Sequence, residues 1–251
     1  RRIADDLPSI LRDSPTIFGE PPVGPIQFFE HGLQFEADVE RGQKTGHFLD
    51  QRDNRQLVGT RCEGAHVLDV FCNTGGFSVY AAAGGARSIH SIDVSPHAIE
   101  ATQRHIEINR SGLGYDVRHT SLVADAFDAM EDLVDRHQHF DVIIIDPPSF
   151  APNSASVPAA RRAYRRLTSL AVDLLANGGT LVQASCSSRI ATDEFYALVT
   201  GEIAESGHKA IHTIRTGHAL DHPIGFEQGA YLKAILADVV PATRSQETGR
   251  W

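Results

Sequence analysis

From residue 65 onward the sequence alternates between short apolar runs and segments with helical spacing. Five runs are predicted strands, at residues 66–71, 88–94, 117–122, 140–145 and 180–185. Helical segments separate them, and Ser95-Pro96 gives one helix an N-cap and a proline at its first position. Apolar strands joined by helices are typical of a parallel sheet covered on both faces. The alternation therefore predicts an α/β fold.

Two further strands are predicted near the end of the chain, at residues 209–216 and 230–239, with no helix between them. We expect them to form an antiparallel hairpin at one edge, which makes a Rossmann-like, seven-stranded, mostly parallel sheet. A turn, Asn177-Gly178-Gly179, is expected to close the helix before the fifth strand. Upstream, residues 26–30 and 33–39 flank a tight turn and predict a β-hairpin. The proline-rich first 25 residues predict an extended arm.

Composition excludes several classes of protein. Apolar residues make up 41% and charged residues 22%, which excludes a disordered chain. Without an apolar run of about 18 residues, no membrane span is expected. Three scattered cysteines do not form a disulfide framework, and we expect no metal site and a reducing, cytoplasmic setting. The chain starts with Arg1 and its only methionine is Met130, so we expect an upstream domain to be missing.

The net charge of −9 excludes a uniformly basic nucleic-acid surface but not a local basic patch. Residues 161–166 contain four arginines and one tyrosine on a predicted helix, and form the only dense basic cluster. Contact with RNA phosphates is one interpretation of this cluster. A solvated helix face is the alternative.

Acidic residues follow successive predicted strands. In an open α/β sheet, ligands bind beyond the carboxyl ends of the strands. Asp93 at the second strand can accept hydrogen bonds from ribose hydroxyls, and Asp125 after the third can bind an adenine amino group. Gly75 and Gly76, after the first strand, let the backbone bend and approach a ligand. Helix capping is the alternative for each acid, and a nicotinamide enzyme is another, although its glycine pattern is absent.

A carboxyl group and a thiol follow the next two strands. Asp146-Pro147-Pro148-Ser149-Phe150 ends the fourth strand, and its prolines fix the direction of Asp146. Cys186 follows the fifth strand, expected beside the fourth at about 4.8 Å. Facing one pocket, the two groups favour covalent catalysis on a heteroaromatic ring, in which thiolate addition at pyrimidine C6 activates C5 toward an electrophilic methyl group. The alternatives are a stiff turn and a buried structural cysteine.

Together these residues resemble class I S-adenosylmethionine-dependent methyltransferases, specifically the ribosomal RNA large-subunit cytosine-5 methyltransferase family. The resemblance covers about residues 16–240. The segments that carry it are 42–46, 48–55, 71–78, 146–150, 185–187, 221–223 and 231–233. A related guanine-N7 group shares two of these features but typically lacks the cysteine. We expect residues 1–60 to form an arm, a hairpin and a cofactor-covering segment, and residues 61–251 to form the methyltransferase domain.

The resemblance implies S-adenosylmethionine as cofactor, Cys186 as nucleophile and Asp146 as the group that orients the base. The residues expected to hold the cofactor are Phe48, Gln51, Arg52, Asp69, Phe71, Asn73, Gly75, Asp93, Val94, Asp125, Ala126 and Asp146. Those expected to bind the substrate are Pro147, Pro148, Phe150, Arg161, Arg162 and Arg165.

The expected reaction is methylation of cytosine C5 in naked or partly assembled large-subunit ribosomal RNA. Two alternatives stay open at this point: a methyltransferase of a purine nitrogen or a small molecule, and a non-catalytic assembly factor that binds cofactor and RNA. The oligomeric state is also open, a homodimer included.

Overall fold

The computed structural model describes residues 22–39, 46–226 and 229–242. Most of the predicted N-terminal arm and residues 42–45 lie outside the described residues. The strands are β1 Ile26–Glu30, β2 Leu33–Ala37, β3 His66–Val70, β4 Ser88–Asp93, β5 Arg118–Val123, β6 Phe140–Ile145, β7 Leu175–Ser185, β8 His208–Thr216 and β9 Lys233–Pro241. The α-helices are α1 Arg52–Gly59, α2 Gly76–Ala83, α3 Pro96–Leu113, α4 Ala126–Asp135, α5 Val157–Leu174 and α6 Thr192–Glu205. Short 3-10 turns span Leu49–Gln51 and Ser154–Ser156.

The predicted Rossmann-like architecture is confirmed. Seven strands form one sheet in the order β5-β4-β3-β6-β7-β9-β8. The first five are parallel, and β9 runs antiparallel to both of its neighbours. The last described strand, β9, thus lies between β7 and β8, and β8 forms the edge of the sheet. In the described part of the chain, no helix combines the length and the apolar character that crossing a bilayer requires.

The sheet is buried on both faces, and this explains why β6 is almost entirely apolar. Ile143 and Ile145 pack with the helices α4, α5 and α6 on one face. Val142 and Ile144 pack on the other face with α2, α3 and the β1–β2 hairpin. Successive side chains of a strand point to opposite faces, so a strand covered on both sides must be apolar at every position.

The prediction that Asn177–Gly179 closes the helix before β7 is wrong. Helix α5 ends at Leu174, and Leu175 is already extended and paired with Phe140 of β6. Leu175 is buried in the core, which draws the chain into the sheet directly after the helix. The glycines instead lie within β7, where the register shifts and Gly178 has φ +79°.

The β1–β2 hairpin docks on α3 through backbone hydrogen bonds. Asn109 accepts from the Gln34 N–H at 2.8 Å and donates to its carbonyl at 2.7 Å. The Glu36 N–H donates to Nε2 of His105 at 2.9 Å. Side chains of α3 therefore replace the strand partner that the edge of β2 lacks, and Phe35 between them is fully buried.

Candidate active site

The turn between β3 and α2 has a strained backbone. Phe71 has φ +62° and Asn73 has φ +49°, a region that non-glycine residues rarely adopt. The Asn73 N–H donates to Asp93 at the end of β4 at 2.9 Å, and the Cys72 N–H donates to the Ile92 carbonyl at 3.0 Å. Such strain is concentrated at functional sites, where surrounding contacts maintain it. The turn is thus held against the end of β4, as a ligand-binding loop requires.

The two glycines of this turn have a structural reason to be glycine. Gly75 has φ +77°, and a Cβ there would lie 2.5 Å from Cγ2 of Thr102 on α3. A Cβ on Gly76 would lie 2.9 Å from Cδ of Arg55. The glycines therefore allow close packing with the protein, whereas the sequence analysis assigned them to the approach of a ligand. The contact of Gly75 with a cofactor stays a prediction.

Asp69 lies beneath the turn. Its side chain is only 1% exposed, and the Ser78 hydroxyl donates to it at 2.6 Å. Its Oδ1 atom has no hydrogen-bond partner. Burial raises the pKa of Asp69 to about 7, against the opposing hydrogen bonds of Ser78. Asp69 supports the turn from inside the protein, and its direct contact with a cofactor stays a prediction.

Asp93 and its neighbours fit the ribose and adenine end of the expected cofactor. Both oxygens of Asp93 accept backbone N–H groups, from Asn73 and from Ser95, each at 2.9 Å. Each oxygen keeps a lone pair for a further donor such as a hydroxyl. Beside it, Val94 is 70% exposed, and Val123 at the end of β5 is also exposed. Exposed apolar side chains flanking a carboxylate suit a nucleoside, whose flat base needs an apolar surface.

Asp125 caps α4. Its side chain accepts hydrogen bonds from the N–H groups of Phe127 at 2.9 Å and Asp128 at 3.4 Å. For this acid the capping alternative describes what the structure contains. Asp93 is not the cap of α3, because that role belongs to Ser95, which accepts from the Ala98 N–H at 3.3 Å. The adenine contact of Asp125 and Ala126 stays a prediction.

Asp146 extends β6 toward the segment that precedes α1. Burial, reinforced by the nearby Asp50, raises the pKa of Asp146 to about 7, and Gln51 and Arg55 oppose this effect. The structure thus brings the predicted residues Gln51 and Asp146 together. A carboxyl group that exchanges its proton near neutral pH can both donate to and accept from a substrate base.

The 49–55 segment is attached to the loop between β8 and β9. The Tyr231 hydroxyl donates to Asp50 Oδ2 at 2.6 Å. Arg52 donates to Asp221 at 2.6 Å and to Asp53 at 3.0 Å, so carboxylates already engage this predicted cofactor ligand. The cofactor-binding roles of Phe48, Gln51 and Arg52 stay predictions.

A buried ion pair fixes the other side of this segment. Arg55 donates to both carboxylate oxygens of Glu30, at 2.9 and 2.7 Å, and to the Phe48 carbonyl at 2.7 Å. Burial alone would raise the pKa of Glu30, but the neighbouring His47 and Arg55 lower it to about 2. The hairpin, the segment before α1 and helix α1 are therefore held together beside Asp146.

Cys186 lies where the sequence predicted it, directly after β7 and beside the end of β6. Its sulfur is 3.7 Å from the Pro147 carbonyl oxygen. Tyr164, Tyr231 and Lys233 are close enough for their pKa values to respond to its charge. The other two cysteines are at most 5% exposed, and burial raises the pKa of each. Of the three, Cys186 is the one that a substrate can reach.

The predicted substrate-binding residues lie in two different environments. Phe150 packs its ring against Tyr164 at 5.3 Å between centroids, next to the core. On α5, Arg161 pairs with Glu194, and Arg165 pairs with Glu202 at 3.6 Å. Arg162 is exposed and has no carboxylate within ion-pair distance among the described residues. Acidic residues of α6 thus offset much of the basic cluster, and its contact with RNA stays a prediction.

Four residues that shape the site were not predicted from the sequence: Glu30, Asp50, Tyr231 and Lys233. Asp50, Tyr231 and Lys233 lie in segments that carried the family resemblance, but no role was assigned to them. Lys233 had one further signal, a lysine within a predicted strand whose other residues are mostly apolar. Glu30 had no signal, since its partner Arg55 is 25 residues away.

This sheet, with carboxyl groups at the ends of successive strands and a strained turn after the first, defines a Rossmann-like methyltransferase fold of class I. Residues 13–236 match the model of one family. The chain belongs to the S-adenosylmethionine-dependent methyltransferase family.

Individual relatives agree with this family. The chain is 42% identical to "Ribosomal RNA large subunit methyltransferase I" of Shewanella amazonensis, over 89% of this chain and 56% of the relative. It is 39% identical to "Ribosomal RNA large subunit methyltransferase" of Deinococcus radiodurans, over 94% of this chain and 57% of the relative. A crystal structure described as a methyltransferase complexed with SAH superposes with a TM-score of 0.76 at 27% identity, covering 88% of this chain and 58% of the other. The chain thus spans little more than half the length of these relatives.

Proposed function

We propose that this chain transfers a methyl group from S-adenosylmethionine to C5 of a cytosine in large-subunit ribosomal RNA. The relatives named for ribosomal RNA support the substrate class. One observation carries the choice of cytosine C5: the Cys186 sulfur lies 3.7 Å from the carbonyl of Pro147, the residue after Asp146, so a thiol and a carboxyl group stand at adjoining strand ends. A purine nitrogen already has a lone pair that can attack the methyl group, so it needs no thiol. Pyrimidine C5 has no lone pair and becomes nucleophilic only after a thiolate adds to C6.

The cofactor supplies an electrophilic methyl group when bound. The strained 71–75 turn and Asp93 would hold it, with Val94 against its base. Asp146 would form a hydrogen bond with the polar edge of the cytosine and fix the ring over Cys186. These roles would hold the methyl carbon and cytosine C5 close together and correctly oriented. Such positioning supplies much of the rate acceleration of a two-substrate reaction.

In the proposed reaction the Cys186 thiolate forms a bond to cytosine C6. The electrons of the C5–C6 double bond move to C5, which forms the new bond to the methyl carbon while the bond from that carbon to the sulfonium sulfur breaks, leaving a neutral thioether that keeps the electron pair. A base then removes the C5 proton, and the electrons of that C–H bond restore the double bond and expel the thiolate. Cys186 is regenerated, so the cycle needs no oxidant or reductant.

The test uses methyl-labelled S-adenosylmethionine and ribosomal RNA from a strain that lacks the corresponding enzyme. After digestion, nucleoside mass spectrometry identifies the labelled base. Label in 5-methylcytidine supports the proposal. Label in a methylated guanosine overturns the cytosine assignment, and transfer to a small molecule alone overturns the RNA assignment. Cofactor binding without transfer to any undermodified RNA would favour a non-catalytic role.

A further inference from the structure

Lys233 is a buried cation beside Cys186. It opens β9, is 2% exposed, and donates from Nζ to three carbonyl oxygens, those of Ser187, Ile190 at 2.7 Å and Tyr231 at 3.1 Å. Three acceptors around one nitrogen require three N–H bonds, which only the ammonium form provides. A neutral amine would direct a lone pair at one of the carbonyl oxygens. The hydrogen bonds therefore indicate that Lys233 is positively charged in this fold.

This charge has no carboxylate partner within ion-pair distance in the described part of the chain. A buried charge is costly unless an opposite charge accompanies it. Glu194 of α6 influences Lys233 electrostatically, but it is engaged with Arg161 on the surface. Besides Glu194, the described group whose charge influences Lys233 is the thiol of Cys186, one residue before Ser187.

Strand pairing places Lys233 and Cys186 together. Lys233 is paired with Ser185, the last residue of β7, and Cys186 follows Ser185 directly. Two of the three carbonyls that Lys233 binds, those of Ser187 and Ile190, belong to the turn that follows Cys186. The ammonium thus fixes the backbone of the turn on which the thiol is carried.

We propose that Lys233 is the positioning residue for Cys186: its buried ammonium holds the 186–190 turn and stabilises the Cys186 thiolate. This inference rests on the proposed function, in which the thiolate is the reacting form. On forming the thiolate, the S–H proton passes to bulk water and the electron pair stays on sulfur. Lys233 keeps its own proton throughout.

The other ionisable groups around Cys186 oppose or do not assist this stabilisation. Asp146, directly after β6, would in its ionised form disfavour a negative charge on the thiol. Tyr164 on α5 and Tyr231 before β9 have pKa values raised by burial, so both are neutral near pH 7. Burial lowers the pKa of Lys233 to about 8, against the opposing influence of Cys186 and Glu194, so the ammonium still predominates at neutral pH. Among the described groups whose pKa values respond to Cys186, the cation is thus Lys233.

The test follows iodoacetamide alkylation of Cys186 against pH, read by peptide mass spectrometry. Cys62 and Cys72 are at most 5% exposed and should react slowly. Lys233→Met should move the midpoint of the pH profile upward by about one unit, which is about tenfold slower alkylation at pH 7. Lys233→Arg, which keeps the charge, should retain most of the wild-type profile. Lys209→Met, at an exposed lysine on β8, is the matched control.

A second measurement does not depend on a variant of Lys233. Thiolate absorbance at 240 nm in the wild-type chain, with the Cys186→Ala signal subtracted, gives the Cys186 midpoint directly. We expect a midpoint below the ordinary cysteine value of about 8.5. A midpoint at or above that value, or an unshifted alkylation profile in folded Lys233→Met, overturns the inference. Neither assay uses RNA, so a failure of the proposed function would appear separately, as absence of 5-methylcytidine.

Discussion

Three carboxyl groups near the site, two of them buried and Asp146 half-buried, differ in protonation because their partners differ. Glu30 faces Arg55 and has its pKa lowered to about 2. Asp69 has only hydroxyl and backbone donors, and burial raises its pKa to about 7. Asp146 has a further acid, Asp50, nearby, and burial together with this acid raises the pKa of Asp146 to the same value. Burial alone does not decide the charge of a carboxyl group; the nearest cation does.

The first prediction concerns Cys186. Replacing Cys186 by Ala should abolish methyl transfer, because the alanine has no nucleophile to add to C6. Cofactor affinity, measured by titration calorimetry with SAH, should stay within about twofold, since the thiol lies beside β6 and away from Asp93. Cys62→Ala, at a buried cysteine between α1 and β3, is the control and should retain turnover. Undiminished turnover in the Cys186→Ala variant would rule out Cys186 as the nucleophile.

The second prediction concerns Asp146 and pH. Its pKa is about 7 in the folded chain and 3.8 as the reference value, so the contribution of its protonated form to stability is complete below pH 4. That contribution is lost as the pH rises through 7. Asp146→Asn should therefore stabilise the chain more at pH 8 than at pH 5, by on the order of 1–4 kcal/mol.

Urea unfolding of the Asp146→Asn variant and the wild type at the two pH values gives this difference. Asp135→Asn, at an exposed acid on α4, is the control and should change the free energy of unfolding equally at pH 5 and pH 8. An equal effect of Asp146→Asn at pH 5 and pH 8 would contradict the assignment of a raised pKa to this carboxyl group.

At the scale of elements, strands and helices were predictable because burial imposes a period on the sequence. The run Phe140–Ile145 was predicted with its bounds, since both faces of β6 are covered and every position is apolar. The end of α5 was not, because the burial of Leu175 outweighed the local preference of Asn177-Gly178-Gly179 for a turn. Local sequence indicates where a chain can turn, and packing decides whether it does.

The residues of the site also fall into those whose positions the sequence predicted and those whose positions it did not. The positions of Asp93, Asp146 and Cys186 followed from the rule that the carboxyl ends of parallel strands lie at one edge of a sheet. Glu30 and Lys233 could not be placed, because their roles come from Arg55 and from the carbonyls after Cys186, contacts that only the folded chain creates. Sequence therefore predicted the positions of groups at the strand ends better than the contacts that hold those ends in place.

The third prediction concerns the docking of the hairpin. Glu30→Gln leaves the Arg55 guanidinium buried without its carboxylate, which typically costs about 3–5 kcal/mol. We expect a loss of that size in urea unfolding, together with weaker cofactor binding, because Arg55 also holds the Phe48 carbonyl. Glu107→Gln, at an exposed ion pair on α3, is the control and should stay within about 0.5 kcal/mol of wild type. A change for Glu30→Gln no larger than that of the control would show that the pair does not stabilise the hairpin.

At the scale of the whole molecule, the net charge of −9 opposes binding to RNA. In the proposed function, attraction to RNA would therefore come from a local surface at the carboxyl edge of the sheet, where Cys186 lies. Arg161, Arg162 and Arg165 are near the start of α5, which leaves that edge after β6. Two of them pair with acids of α6, and both of these arginine side chains are exposed, so water and salt weaken the pairs. Phosphates can thus compete with Glu194 and Glu202 for these arginines.

The fourth prediction follows from this competition. Replacing all three arginines by Ala should weaken binding of a ribosomal RNA fragment and lower the slope of log affinity against log salt by about 1 per lost phosphate contact. Glu194→Gln should have the opposite effect, a few-fold tighter binding at low salt, because it releases Arg161. Filter binding over a salt series measures both, with Arg136→Ala as the control, at the far end of α4. If the triple variant keeps the wild-type slope, the RNA contacts another surface, and Arg161, Arg162 and Arg165 form only a solvated face of α5.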